Sequence, residues 1–326
     1  MVDQRTEPKP HNPLKGFKAF AGARIIVFVI VALVFLWVVY LLLGWMASHT
    51  DTVKHVGVSS GHDGASGHAI TATSNIKGVT FVDALIRPMH HELEERSLGW
   101  RPNDILIGKI TDNIRYYQRG TLEVTRRGVV ALMERIARTG STAAINENVE
   151  DAMNDFSNSP TNLWLPSAES KYKDAIKALK AYKGQLKRKE VTIYTRPDNL
   201  IPLLSAFEDI LGSCDDNLVK THEDDGEEVS FFKADDYFFY AMGAAHTMRT
   251  ILEAVYVDFH ETLQTRRGTE LLHHAILSLE HAGHLEPLII LEGDPDGFLA
   301  NHRANLAAHI SHARFYLGQL IKALST

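Results

Sequence analysis

Residues 25–47, IIVFVIVALVFLWVVYLLLGWMA, run from Ile25 to Ala47 without one charged side chain. As a helix rising 1.5 Å per residue, a stretch of this length covers roughly 34 Å, against roughly 30 Å for the hydrocarbon core of a bilayer. A run apolar on every side has no face to turn toward water, so it predicts a transmembrane helix rather than a surface helix. The 24 residues before it hold Arg5, Lys9, Lys15, Lys18 and Arg24 against Asp3 and Glu7, whereas residues 48–77 hold only Lys54 and Lys77 as basic groups. Lys and Arg gather on the cytoplasmic side of a span. The expectation is a cytoplasmic tail over 1–24, a single pass over 25–47, and residues 48–326 outside the bacterial inner membrane, in the periplasm. Trp45 at one end and Phe17 and Phe20 at the other suit interfacial positions. A cleaved signal peptide is the competing reading, but its apolar region is usually about 7–15 residues and ends in a small-residue site that Met46-Ala47-Ser48 matches poorly. The run contains no GxxxG pair, so nothing in it argues for helix dimerisation.

Net charge is −6 overall, and the first 24 residues contribute +3, leaving −9 for the remainder. An acidic outer domain argues against nucleic acid as a partner. Cys214 is the sole cysteine, which rules out an internal disulfide and leaves the fold to its hydrophobic core.

Residues 48–77 are rich in Gly, Ser, Thr and His and read as a flexible linker with a reach of roughly 30 Å. From Val79 the pattern turns helical and stays so. Arg101-Pro102-Asn103-Asp104, Pro166-Ser167, Arg196-Pro197-Asp198-Asn199, Ala234-Asp235-Asp236 and Asp294-Pro295 each precede an apolar-periodic run. Side chains that accept from free backbone N–H groups, and Pro in the first turn, mark helix starts. Only residues 190–195 and 288–291 look strand-like. The predicted fold class is all-α: one N-terminal transmembrane helix and a helical-bundle domain over 78–326.

Two short words recur in order. Thr125-Arg126-Arg127-Gly128 returns as Thr265-Arg266-Arg267-Gly268, and Tyr182-Lys183-Gly184-Gln185-Leu186 returns as Tyr316-Leu317-Gly318-Gln319-Leu320. Their near-equal offsets predict an internal duplication of 98–190 as 233–324.

Chemistry is harder to find. No P-loop, dinucleotide glycine fingerprint or Gly-x-Ser-x-Gly elbow is present. Met89-His90-His91-Glu92-Leu93-Glu94-Glu95 lacks the second His of a zinc-protease helix. Histidine offers the sharper alternative, because nine of the seventeen lie between His246 and His312. His246 and His260 fall on one helical stripe, His302, His309 and His312 on another, and Glu270 and His273 stand three apart between them. Carboxylate and imidazole at that spacing on facing helices build bundle metal sites, and imidazole suits a transition metal. The plainer account is the polar face of amphipathic helices. Residues 171–189 carry seven Lys and one Arg, a face suited to anionic lipid, to a partner's acidic surface or simply to water.

Gly99-Trp100-Arg101-Pro102-Asn103-Asp104, Asp112-Asn113, Trp164-Leu165-Pro166-Ser167-Ala168-Glu169-Ser170 and Arg196-Pro197-Asp198-Asn199-Leu200 together resemble an uncharacterised bacterial family, a domain of unknown function. The resemblance runs from about the apolar span to the end. It implies a single-pass protein of the Gram-negative envelope and carries over no activity, cofactor or catalytic residue. The reading that follows is a non-enzymatic scaffold or binding protein of the envelope, with no cofactor and an envelope protein as partner; the alternative is a His-rich metal-binding protein or metalloenzyme.

Overall fold

The computed structural model describes residues 33–37, 40, 75–103, 112–140, 143–285 and 301–326. The chain divides into two units, Met1–Ala47 and Ser48–Thr326. In the first, residues 33–37 and 40 are helical, and each of these apolar side chains is more than half exposed. The rest of the 25–47 run lies outside the described residues. Among the described residues no helix is long and apolar enough to cross a membrane.

The second unit is all-helical among its described residues. Its elements are α1 (Val79–His90), α2 (Asp112–Ala131), α3 (Glu147–Phe156), α4 (Ala168–Lys187), α5 (Pro197–Val219), α6 (Phe231–Asp258), α7 (His260–Thr265), α8 (Thr269–Gly283) and α9 (His302–Ser325). Single π-helical turns, His91–Glu95 and Leu132–Ile136, extend α1 and α2. Several starts follow the punctuation read from sequence. Ser167 accepts from the Ser170 N–H ahead of α4, and Pro197 opens α5. Others differ. Ser230, not Asp236, caps α6, by accepting from the Lys233 N–H. The final helix starts at His302 behind Asn301, whose side chain accepts from the Ala304 N–H; Asp294-Pro295 lies outside the described residues. The first turn of α1 is capped from afar, since Asp258 at the end of α6 accepts from the Phe81 N–H at 2.7 Å.

Residues 190–195 form no strand. Ile193 is buried against Gly78, whose φ of +89° and 2.8 Å clearance from a would-be Cβ to the Ile193 side chain leave room only for glycine. The Tyr194 N–H donates to the Ile136 carbonyl at 2.8 Å, so the segment's backbone is engaged by a helix end rather than a neighbouring strand.

Helix α6 is apolar around most of its circumference and lies at the centre, packed by α1, α2, α5, α8 and α9. Its closest neighbour is α2. A Cβ on Gly120 would collide with the Tyr240 carbonyl and stand 2.8 Å from the Ala244 nitrogen, and one on Gly243 would collide with the Tyr117 carbonyl. Two Tyr-x-x-Gly segments, 117–120 and 240–243, thus cross backbone to backbone. The packing around this crossing has a regular pattern: α1 on α4 and α5 on α9; α3 on α4 and α8 on α9; α2 on α3 and α6 on α8; α1 on α6 and α5 on α2. Exchanging α1–α4 for α5, α6, α8 and α9 leaves the pattern unchanged. In that exchange Tyr182-Lys183-Gly184-Gln185-Leu186 (in α4) matches Tyr316-Leu317-Gly318-Gln319-Leu320 (in α9). Thr125-Arg126-Arg127-Gly128 does not match Thr265-Arg266-Arg267-Gly268: the first lies inside α2, the second starts at the last residue of α7 and ends just before α8.

Candidate functional site

The seven residues singled out as metal ligands are spread over four helices. His246 sits on α6, 6.4 Å ring to ring from Tyr117, and His260 opens α7 beside Tyr256 at 5.7 Å. Glu270 on α8 is exposed and lies 3.8 Å from His274, itself stacked on Tyr316 at 5.0 Å. His273 on α8 neighbours His274 at 6.2 Å, and His302 is the first residue of α9. His309 on α9 meets His281 on α8 at 5.5 Å. Burial, then the charges of His281 and His312, hold the His309 imidazole below its ordinary pKa. Among the described residues no three His, Cys, Asp or Glu side chains come together as a group that could hold a metal ion. On α6, Arg249 pairs with Glu253 at 2.9 Å and with Glu280 of α8 at 3.7 Å.

The basic helix α4 is likewise partly occupied. Lys171 pairs with Asp155 at 2.9 Å, Lys173 with Glu169 at 2.7 Å and Lys183 with Asp83 at 2.5 Å, while Lys177, Lys180, Lys187 and Lys189 stand exposed.

The arrangement with the clearest architecture lies elsewhere, behind residues 157–167. Glu92 in the first π-helical turn and Arg96 just after it are both buried, with side chains 3% and 2% exposed. Arg96 grips both carboxylate oxygens, Nη2 donating at 2.9 Å. Its guanidinium lies 5.3 Å over the Tyr117 ring. Burial, and then the Glu92 charge, push the Tyr117 phenol far above its ordinary pKa and keep it protonated. Gln118 on α2 links this pair outward. Its Nε2 donates to Glu92 at 3.1 Å and to the Gly99 carbonyl at 3.0 Å, and its Oε1 accepts from the Arg101 N–H at 2.8 Å. The segment so held presents Trp100, whose indole N–H donates to the Pro160 carbonyl at 3.0 Å, and Asn103, whose amide donates to the Asn162 carbonyl at 3.4 Å.

A second prop comes from Arg126 and Tyr172. Arg126 donates to the Phe156 and Asn158 carbonyls, and the Tyr172 hydroxyl donates to Asn158 at 2.7 Å. Trp100 packs edge-on to Tyr172 at 5.0 Å. Within the loop, the Asn162 side-chain amide donates to the Pro166 carbonyl, and the Asn162 carbonyl accepts from the Ala168 N–H. The Leu165–Pro166 peptide is cis. At its tip the loop presents apolar side chains to solvent: Leu163 is 41% exposed, Trp164 81% and Leu165 95%. The network serves the backbone of the loop, since both Glu92 oxygens are engaged and Tyr117 keeps its proton.

Sequence reasoning singled out Trp100, Asn103 and Trp164 as signature residues, yet assigned no part to Glu92, Arg96, Gln118, Arg126 or Tyr172. One usable signal existed: Glu92 and Arg96 stand at i, i+4. The 163–165 triplet was also legible as apolar residues within an otherwise polar stretch.

Fold and site together define a protein that is all-helical among its described residues, with an apolar loop backed by buried hydrogen-bond donors. The profile of a bacterial family, DUF2333, described as an uncharacterized protein conserved in bacteria, matches residues 20–225 and 216–325, and the chain belongs to this family. No curated protein and no solved structure matches it.

Proposed function

We propose that the protein is a non-enzymatic scaffold or binding protein of the bacterial cell envelope, anchored in the inner membrane by residues 25–47 with its helical domain in the periplasm. The observation that carries this reading is the 163–165 tip. Three apolar side chains stand in solvent while buried charge and aromatic packing hold their backbone from behind. An exposed apolar group on a rigid support is suited to binding, because little conformational entropy is lost on contact. The anchor reading is supported by the charge asymmetry about the apolar run and by the exposure of its residues 33–37. We also infer that 79–187 and 197–325 are copies of one four-helix unit, a shifted form of the repeat expected from sequence; the exchangeable packing pattern supports it.

Topology is the direct test. In spheroplasts with intact inner membranes, external protease should digest the domain and leave a short membrane-bound fragment containing residues 25–47. A domain protected until the membrane is broken would overturn the proposed orientation. A protein released by high salt or carbonate would overturn the anchor.

A further inference from the structure

We propose that the Leu163-Trp164-Leu165 tip inserts into the interfacial layer of the lipid bilayer. This deepens the anchored reading above and rests on it. Four observations favour lipid over a protein groove. First, the tip is small. A stable protein–protein interface uses roughly 20–30 residues and about 800 Å² a side, whereas here three apolar side chains stand alone above a polar loop. Such a tip suits shallow insertion by a molecule held near the surface by other means. Second, the loop is uncharged. Between Asp155 and Glu169 the sequence reads FSNSPTNLWLPSA, in a chain of which 23% of residues are charged. Ser159, Thr161, Asn162 and Ser167 can enter a headgroup layer without the cost of dehydrating an ion. Third, tryptophan flanked by leucine is interfacial chemistry: an amphipathic ring at headgroup depth, with aliphatic groups beside it. Fourth, the chain supplies the means of delivery. Residues 48–74 separate the apolar run from the described part of the domain, and a Gly/Ser-rich stretch of that length reaches about 30 Å. A bilayer entered by 25–47 would therefore face the tip at high effective concentration, so that weak insertion is enough.

The buried network explains why the tip can enter without rearrangement. Trp100, Asn103, Arg126 and Tyr172 fix the loop through the backbone carbonyls of Asn158, Pro160 and Asn162, while Trp164 and Leu165 stay 81% and 95% exposed.

The test uses the full chain reconstituted in phosphatidylcholine vesicles whose acyl chains carry bromine near the headgroup, a short-range quencher of indole emission. The chain has four tryptophans: Trp37 and Trp45 in the apolar run, Trp100 in the core and Trp164 at the tip. The emission of Trp164 is read as the difference between the native chain and Trp164→Phe. It should fall at least twofold in brominated vesicles relative to unbrominated ones. Leu165→Asp, at a position 95% exposed, should restore that emission while leaving the circular dichroism unchanged. Trp37 and Trp45 form the internal control, read from a Trp37→Phe/Trp45→Phe variant. If they are quenched and Trp164 is not, the anchor stands and tip insertion is overturned. If neither is quenched, the anchored reading falls and the tip proposal falls with it. Quenching of Trp164 that Leu165→Asp leaves intact also overturns the tip as the inserting element.

Discussion

Glu92 and Arg96 share a site almost without water, and the energetic consequences are asymmetric. A buried ion pair adds little net stability over a well-packed apolar pair, but removing one partner strands the other charge at a cost of about 3–5 kcal/mol. Arg96→Met should therefore destabilise the domain by roughly that amount in urea titration of the full chain in detergent. Adding Glu92→Gln should recover much of the loss, because the amide carries no charge to strand and keeps a partner in Gln118. A loss below about 1 kcal/mol for Arg96→Met would show that the pair is not buried as described. The run HHELEE lacks the second His of a zinc-protease helix, and the i, i+4 spacing of Glu92 and Arg96 is the one signal of the pair. The pair gains its meaning from Gln118, twenty-six positions beyond Glu92 and on another helix. Trp164 taught the opposite lesson. Its type was plain from sequence, and type alone argues for a largely buried position; its exposure goes with Trp100 and Arg126 holding the loop's carbonyls against the domain.

At the scale of elements, helix starts were legible wherever the cap is local. Ser167 and Pro197 stand one residue before and at the first helical position of α4 and α5. The start of α6 was hidden because Ser230 is followed by Phe231 and Phe232, which are largely exposed, so apolar periodicity begins later than the helix does. The run 191–195, four β-branched residues and Tyr194, has strand propensity that tertiary contacts override. Crossing of α2 and α6 yields a sharp prediction. Gly120→Ala or Gly243→Ala places a methyl against a main-chain carbonyl that cannot rotate away, and each should cost about 3 kcal/mol or more by chemical denaturation. A neutral result for either would mean that the helices do not approach as closely as described.

The α8–α9 seam adds a pH dependence. His309 is held below its ordinary pKa by burial and by His281 and His312. Its neutral form is the one the fold accepts, so the unfolded chain binds the proton more readily. Stability is therefore complete above about pH 6.5, the unfolded value, and declines as pH falls through the lower folded value. Melting of the full chain should show Tm falling between pH 7 and 5, and His309→Gln should flatten that slope. An unchanged slope would remove His309 as its source. The histidine stripes were legible as stripes. Which histidines meet across helices, as His281 of α8 and His309 of α9 do, was not.

For the molecule as a whole, the shared crossing has a thermodynamic consequence. Neither set of four helices closes its own core, because α1 packs on α6, α5 packs on α2, and α2 meets α6 at the tightest contact in the domain. Of the two recurring words, Tyr-x-Gly-Gln-Leu falls at corresponding places within α4 and α9, whereas Thr-Arg-Arg-Gly falls in unlike ones. Two sets of helices that share this crossing and one continuous buried cluster should unfold together, since separating them exposes apolar faces of both. Cys214 on α5 is a natural probe. It is fully enclosed, and burial pushes its thiol up to about 12, so it is inert to alkylating reagents until its surroundings open. In a denaturant series on the full chain, Cys214 labelling and loss of helical circular dichroism should share one midpoint. Labelling well before the dichroism changes would mean that α5 and α9 open while α1–α4 persist, and the shared core would not be the unit of stability. With coincident midpoints, Gly120→Ala should move both by the same amount, although residue 120 lies on the opposite set of helices from the thiol.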